Sequence, residues 1–583
     1  MMKVVLAALN AKYIHTSLAI RYLASSARDL APDTTLREYN INQPVGDIAA
    51  DLYGQKPALL GFACYIWNMG ETLRIVNLLK KVSPELKVVL GGPEVSYDAA
   101  TVLAENPAVD YVIAGEGEEP LRGLLTALQG QGDLGEVAGL AFRDGEQILR
   151  SDRSAPPADL DRIFCVYDDL AQLRDKIIYY ECSRGCPFQC QYCLSSTFTG
   201  VRFFPLERIK QDLRRFVAAG VKQVKFVDRT FNCNRAFALE IFRFLAGQEG
   251  GTNFHFEIAA DLLDEETLTF LASVAPGRFQ FEIGVQSTYP PTLAIVRRET
   301  DWSKIAAAVQ RLNAAGNIHL HLDLIAGLPA ESYRQFGHSF NDVFALAPGR
   351  LQLGFLKLLK GSGVRERARD FGYIHTEHPP YEVLANDDIS YEEILRLKGI
   401  EDLLEKYQNS HQFEASLSFA LRRNTPDAFH FFADFTAYWQ ERGYQRRAHG
   451  LRALYRIFAA YYEERRWPEA EVFLELLKFD FLRTERVLQL PEFFPKYELP
   501  GYRERFYRFL SNGDNVRHYL PQYEGLSARE ISKRVQIACF KYPVMELLAN
   551  PLAKPVARTT TLLFRHEERD PLFGRARVDQ IEI

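Results

Sequence analysis

The sequence predicts an α/β protein in three parts. These are a doubly wound parallel sheet over residues 1–150, a partial (β/α)6 barrel over 170–370, and a mainly helical region over 380–583. Three observations lead there. In the first part short apolar runs alternate with amphipathic helical stretches, and two of the runs end in glycine-rich turns. The second part repeats a strand–helix unit six times. After residue 380 the pattern becomes helical and dense in aromatic residues.

The first part opens on the apolar strand KVVLAAL (3–9), followed by a helical pattern over 18–30 with Leu18, Tyr22, Leu23 and Leu30. ALLGFACY (58–65) is a second buried strand, and residues 70–83 form a helix. KVVLGGP (87–93) and VDYVIAGEG (109–117) are the third and fourth strands, both ending in glycine. Such alternation implies parallel strands whose glycine-rich ends gather on one ligand-binding edge. No GxGxxG follows the first strand, which argues against a dinucleotide site. GLAFRDGEQILR (139–150) reads as a hairpin turning at Asp144-Gly145. The polar, proline-bearing SDRSAPPADLDRI (151–163) marks a domain boundary.

In the second part the strand IIYYE (177–181) runs into ECSRGCPFQCQYC (181–193), where Cys186, Cys190 and Cys193 form a CxxxCxxC frame. Three thiolates so placed can hold three irons of a [4Fe–4S] cluster and leave the fourth iron open, since a fully ligated cubane needs four cysteines. Cys182 lies outside that frame, because residue 189 is Gln, and reads as structural. A four-cysteine zinc site is the alternative, with little room between its pairs. Cys64, Cys165, Cys233 and Cys539 are scattered and read as small buried hydrophobes. Further strands follow at 223–232, 253–263, 278–287, 319–329 and 351–361, with helices at 205–219, 233–246, 264–272, 302–315 and 332–346. Polar residues near the carboxyl ends of barrel strands are the expected active-site positions. His319 and His321 share one strand face.

The CxxxCxxC loop resembles that of the radical S-adenosylmethionine (SAM) enzymes, in which the open iron binds the amino and carboxylate groups of SAM. FVDRTFN, EIGVQS and DLIAGLP resemble strand motifs of cobalamin-containing members. The resemblance implies that Tyr192 packs near the adenine and that Asp228, Glu257, Gln286 and Ser287 point toward the ligand mouth. It also implies that Glu257 or Gln286 meets the ribose or amino group, and that Arg297 or Arg298 pairs with the carboxylate. The first part resembles a Rossmann-like cobalamin-binding domain, with Gly91-Gly92-Pro93-Glu94 and Gly115-Glu116-Gly117-Glu118 where that family has its GG and GEGE motifs. His15 stands at the histidine of the DxHxxG motif, but Tyr13 and Leu18 replace its Asp and Gly. That departure fits members without a protein histidine on cobalt, whose lower face would here be capped by Tyr65, Ile66 or a neighbour.

Taken together, the resemblance implies a cobalamin-dependent radical SAM enzyme using a [4Fe–4S] cluster, SAM and cobalamin. Its leading reaction is C-methylation of an unreactive carbon through a 5′-deoxyadenosyl radical. The substrate is a small molecule or peptide, and the electron donor a flavodoxin or ferredoxin. The alternatives are a non-methylating rearrangement or redox enzyme, or an RNA-modifying or RNA-binding iron–sulfur protein.

The third part shows helical stretches at 388–407, 411–422, 428–441, 446–464 and 470–481, and a late strand or hairpin at 559–570. Its aromatics from Phe429 to Trp439 read as helical core, or else as cover for the barrel mouth. It resembles a C-terminal extension of some cobalamin–radical proteins, which brings no chemistry with it. Arg442, Arg446, Arg447, Arg452 and Arg456 form a loose basic series, but Glu441, Glu463 and Glu464 weigh against nucleic acid, as does a net charge of -5. No run of about 18 uncharged apolar residues exists, so no membrane span is expected. Clustered cysteines without a disulfide scaffold point to a reducing, cytoplasmic setting.

Overall fold

The computed structural model describes residues 2–151, 159–163, 166–197 and 200–583. Most of the expected boundary stretch, and Cys165, lie outside the described residues.

Seven strands build the first sheet: β1 (Val4–Asn10), β2 (Thr35–Asn40), β3 (Leu59–Ala63), β4 (Lys87–Gly91), β5 (Tyr111–Ile113), β6 (Leu140–Asp144) and β7 (Gln147–Arg150). Their spatial order is β2-β1-β3-β4-β5-β6-β7; the first five are parallel, and the β6–β7 hairpin adds antiparallel to β5. β1 is buried along its whole length because helices cover both faces of the sheet. The sequence reading missed β2 and the helix Val45–Gly54. TLREYN is half-buried at every position and charged, as suits a sheet edge, and shows no apolar run. Strand order reverses between β1 and β3, which opens a crevice at their carboxyl ends. Asn68, 1% exposed, spans that point: its Nδ2 donates to Leu9 O (3.1 Å) and Ala63 O (2.9 Å).

The central region is a parallel sheet of β8 (Ile177–Tyr180), β11 (Gln223–Phe226), β12 (Asn253–Ile258), β13 (Phe279–Gln286), β14 (His319–Ala326) and β15 (Arg350–Phe355). A ribbon of β9 (Ser183–Gly185) and β10 (Val201–Phe203) rises between β8 and β11. The six strands lie in sequence order, and β8 does not meet β15, so the barrel is partial. Alternation sends Val224, Phe226, Phe254, Phe256, Phe279 and Phe281 outward into the helical layer, where Phe226 stacks on Phe256 at 4.5 Å. The opposite parity sends Lys225, His255, Glu257, Glu282, His321 and Asp323 into the lumen.

Each free edge of this sheet is met at its amino end by another region. At β8, Ile177 N donates to Ile14 O (2.7 Å) and Thr16 Oγ1 donates to Ile177 O (2.9 Å), so the β1 loop adds a rung. At β15, Asn409 takes both backbone groups of Leu351: Oδ1 accepts from its N (3.0 Å) and Nδ2 donates to its O (2.8 Å). Asn409 is set there by a π-helical turn, Leu404–Gln408, that ends the helix Tyr391–Leu403.

A short hairpin, β16 (Ile374–His375) and β17 (Val383–Ala385), leads into the helices Tyr391–Leu403, Glu414–Asn424, Ala428–Glu441, Leu451–Glu464 and Ala470–Thr484. The aromatic run is their core, with Phe435 stacked on Tyr461 (4.2 Å) and Tyr462 on Phe473 (3.8 Å). An antiparallel sheet of β18 (Gln536–Phe540), β19 (Thr560–Arg569) and β20 (Ala576–Ile581) closes the chain. Between its last two strands Phe573 packs on His411 (4.0 Å) and His319 (5.7 Å), under the amino end of β14. This region therefore covers the barrel's side and floor. Two members of the basic series are paired, Arg442 with Glu464 and Arg452 with Glu485. No helix among the described residues is long and apolar enough to cross a membrane.

Replacing Asn409 by Ala leaves Leu351 N and O unpaired at the edge. The expected cost is about 1–3 kcal/mol, read as a lower urea or thermal midpoint; an unchanged midpoint would show that this edge is sealed by other means.

Candidate active site

The cysteine loop leaves the carboxyl end of β8 and is braced at several points. Asp228, just past β11, accepts from Cys182 N (3.0 Å) and from the Ser183 hydroxyl. Burial outweighs these donors and pushes its carboxyl up to about 6. Asp228 thus anchors the start of the loop and does not face the ligand mouth, contrary to the expectation from FVDRTFN. Gly185 has φ 101° and lies so close to Gly200 O that no side chain fits. Gln191 is held through its backbone, its N donating to Val296 O (2.9 Å) and its O accepting from Val364 N (3.0 Å).

The three frame cysteines are free thiols on this braced loop. Cys186 Sγ lies 3.6 Å from Thr230 Oγ1. Cys190 Sγ accepts from Arg298 Nη1 (3.7 Å), and Cys193 Sγ accepts from Ser195 N (3.4 Å). Cys182 is wholly buried in the apolar core beside Tyr180 and Phe204, which removes it from a four-cysteine ion site.

Of the adjacent arginines, Arg298 turns inward, bonding Tyr192 OH (3.0 Å) and Gly284 O, while Arg297 is exposed with φ 51°. Gln286 ends β13 in the left-handed region, φ 71°, beside Gly284, and its buried Oε1 has no hydrogen-bond partner among the described residues. Ser287 does not point to the mouth as expected. It is 1% exposed and donates to Glu331 Oε1 (2.6 Å), which also accepts from Ser339 Oγ (2.9 Å). Burial outweighs those two donors and raises the Glu331 carboxyl to about 7.

Below the mouth the lumen is polar and open to water. Along β13 every second residue (Gln280, Glu282, Gly284, Gln286) stays part-exposed while its neighbours are buried. Glu282 pairs with Lys225 (2.8 Å) and lies 3.1 Å from His255 Nε2. Burial opposes its charge, but His255 and Lys225 prevail and hold the carboxyl well below its usual range. His321 Nε2 lies 3.0 Å from Asp323 Oδ1, and neither atom is in hydrogen-bonding alignment. Glu257 is raised to about 7 by burial, with Arg229 opposing.

The crevice of the first sheet faces this mouth. Gly92, φ 109°, packs so tightly that a Cβ would stand 2.6 Å from Cys64 O, and Gly91 ends β4 next to it. Tyr65 stacks flat on Trp67 at 4.4 Å, on the loop after β3. His15 is turned to the barrel: its ring meets Tyr179 edge-on at 5.8 Å. That contact departs from a cobalt-facing role. Gly115, φ 85°, donates its N–H to Ser96 Oγ (3.2 Å). Glu116, expected to contact cofactor, instead pairs with Arg184 (3.1 Å) and Arg202. Glu94 meets Lys360 (3.3 Å) and Tyr381 OH beyond β15.

Family models match this layout in three places: a B12 binding domain over residues 4–125, the radical SAM superfamily over 180–343, and a protein family of unknown function, DUF4080, over 369–564. The chain joins a B12-binding domain to a radical SAM domain. Among curated proteins it is 30% identical to 2-(S-pantetheinyl)-carbapenam-3-carboxylate methyltransferase of Streptantibioticus cattleyicolor, over 48% of this chain and 44% of that one. It is 28% identical to the cobalamin-dependent radical SAM methyltransferase TokK of Streptomyces tokunonensis, over 50% and 45%. The chain thus spans less than half the length of these two relatives. The solved structure of OxsB, a cobalamin-dependent SAM radical enzyme, shares the fold with TM-score 0.58 at 15% identity, covering 82% of this chain and 79% of that one. TsrM of Kitasatospora setae does so at 0.54 and 17%, covering 65% and 79%.

For this radical SAM chain the sequence reading gave Arg184 no partner in the first domain and did not gather Lys225, His255 and Glu282 into one lumen set. Their signal was present as polar residues at every second strand position, but lumen and solvent faces look alike in sequence.

Glu331→Gln keeps an acceptor for both serines and removes the titration. Between about pH 4.3 and the folded value near 7, the folded chain holds a proton that the unfolded chain has released. Its contribution therefore falls as pH rises through that window, and the full burial cost stands above it. The variant should lose that part of the decline in urea midpoint, measured from about pH 4 to about pH 8.

Proposed function

We propose that the chain is a cobalamin-dependent radical SAM enzyme that methylates an unreactive carbon. The observation that carries the reading is the apposition of two strand-end edges, the crevice after β1, β3, β4 and β5 and the barrel mouth that bears the cysteine loop. The residues present fit the implied cofactors. Three thiols on one braced loop suit three iron ligands, and the glycine-rich turns at Gly91-Gly92 and Gly115 bring backbone without side chains to the crevice edge.

In this reading Cys186, Cys190 and Cys193 hold the cluster. Arg298, Glu257 and Gln286 hold SAM beside Tyr192, and Gly91, Gly92, Gly115 and the Tyr65–Trp67 pair line the cobalamin crevice. Bound together, the cofactors supply one-electron cleavage of SAM to a 5′-deoxyadenosyl radical and a methyl group to transfer. The protein's part is to orient and to exclude water. Arg298 fixes a positive charge beside Cys190, and the Ser287–Glu331–Ser339 contacts hold the loop that follows Gln286. The polar lumen receives a hydrogen-bonding part of the substrate, a small molecule or peptide. A one-electron donor such as a flavodoxin or ferredoxin completes the cycle.

A non-methylating redox reaction is the second reading. It is favoured by likeness to an anaerobic magnesium-protoporphyrin IX monomethyl ester cyclase of Synechocystis, 27% identical over 41% of this chain and 50% of that one.

With cluster, cobalamin, reductant and SAM, the methylating reading expects S-adenosylhomocysteine and a methylated product by mass spectrometry. Deoxyadenosine with no methylated product favours the second reading. Cys186→Ala, Cys190→Ala and Cys193→Ala should each abolish SAM cleavage, while Cys182→Ala retains most of it; cleavage by any of the first three overturns the ligand assignment.

A further inference from the structure

Arg184 sits inside the cysteine loop, two residues before Cys186, yet its partners come largely from the other domain. Its Nε meets Glu181 Oε1 (2.8 Å), its Nη1 meets Glu116 Oε2 (3.1 Å) and its Nη2 meets Glu118 Oε1 (2.6 Å). The guanidinium is 13% exposed and lies 5.4 Å from the Tyr22 ring and 6.0 Å from that of Phe204. Arg202, on β10, joins from the same ribbon by pairing with Glu116. Three carboxylates thus share two arginines in a largely buried site, and burial lifts Glu181 to about 7 against the pull of Arg184.

The geometry of each side gives this cluster its use. Glu116 lies in the turn that follows β5, on the crevice edge, where Gly115 adopts φ 85°, and Glu118 opens the helix Glu118–Leu128 that comes next. Arg184 and Gly185 are in β9, paired with Val201 and Arg202 of β10, so a shift of Arg184 moves the start of the cysteine frame. Taking one partner from a buried ion-pair cluster leaves an uncompensated charge, so losing Glu116 or Glu118 weakens the hold on Arg184.

We infer that Glu116 and Glu118 are positioning residues that, through Arg184, make occupancy of the cobalamin crevice tighten the binding of SAM at the cysteine loop. The inference rests on the proposed function and adds to it. A cofactor resting on the β5 turn favours the arrangement in which both glutamates meet Arg184, and that arrangement holds Arg184 and Gly185, at the start of the cysteine frame, where SAM binding needs them. By linkage SAM tightens cobalamin by the same factor. A second ion-pair clamp between the domains, Lys360 with Glu94 (3.3 Å) and Asp98 (2.8 Å), lies beyond β15, and these three side chains do not pair with the cysteine loop. It is the built-in control.

The test uses the full chain, anaerobically reconstituted with its cluster and without reductant, so that SAM binds but is not cleaved. The dissociation constant of radiolabelled SAM is measured by equilibrium dialysis with and without saturating hydroxocobalamin. The expected result is about tenfold tighter binding with cobalamin, within the usual range of such couplings. Glu118→Gln, and separately Arg184→Lys, should bring that ratio near one, whereas Lys360→Met should lower the thermal midpoint and keep the ratio. Equal SAM affinity with and without cobalamin in the native protein overturns the inference without any variant, and so does a ratio that survives both cluster variants. Failure to retain SAM or cobalamin at all overturns the proposed function, and the inference with it.

Discussion

A six-stranded parallel sheet that curls without closing has two unpaired edges, and buried backbone groups must find partners. Here the β8 edge is met by the loop that follows β1, and the amino end of the β15 edge by the side chain of Asn409. Both seals come from outside the barrel. The position of the first sheet is thereby set relative to the cysteine loop, because the segment that pairs with Ile177 is the one that leaves the crevice. The third region is likewise held at the side and floor, by Asn409 and by Phe573 under His319.

Within that frame the barrel separates its chemistry by parity. Outward positions are phenylalanines and aliphatics that bind the helical layer, and inward positions are lysine, histidines and carboxylates. A barrel built only for stability would fill its centre with branched apolar side chains. The two mouths then meet across charged contacts, Arg184 on one side and Lys360 on the other, which fix orientation more than they add stability.

The fold was legible where periodicity was strong. The six barrel strands and the helices between them stand close to where alternating and 3.6-residue patterns put them, and the CxxxCxxC frame was read directly. β2 was lost because an edge strand needs no apolar face. Residue roles were harder. Asp228 and Ser287 follow strand ends and look like mouth residues, but a strand end also has to tie neighbouring loops, and both are spent on that. Arg297 and Arg298 differ only in which way a left-handed backbone turns the chain. Glu116 sits in a recognisable motif, yet its partners, Arg184 and Arg202, lie some 70 to 90 residues away.

The seal on β15 also bears on how the chain is made. The strand ends at Phe355, and Asn409 is synthesised about 50 residues later. At roughly 5–20 residues per second, the last barrel strand waits several seconds on the ribosome with an open edge. The β8 edge has no such interval, since its partner loop emerges first. The nascent chain is therefore most exposed to mispairing between the barrel and the third region, the stretch over which a chaperone would have most to do.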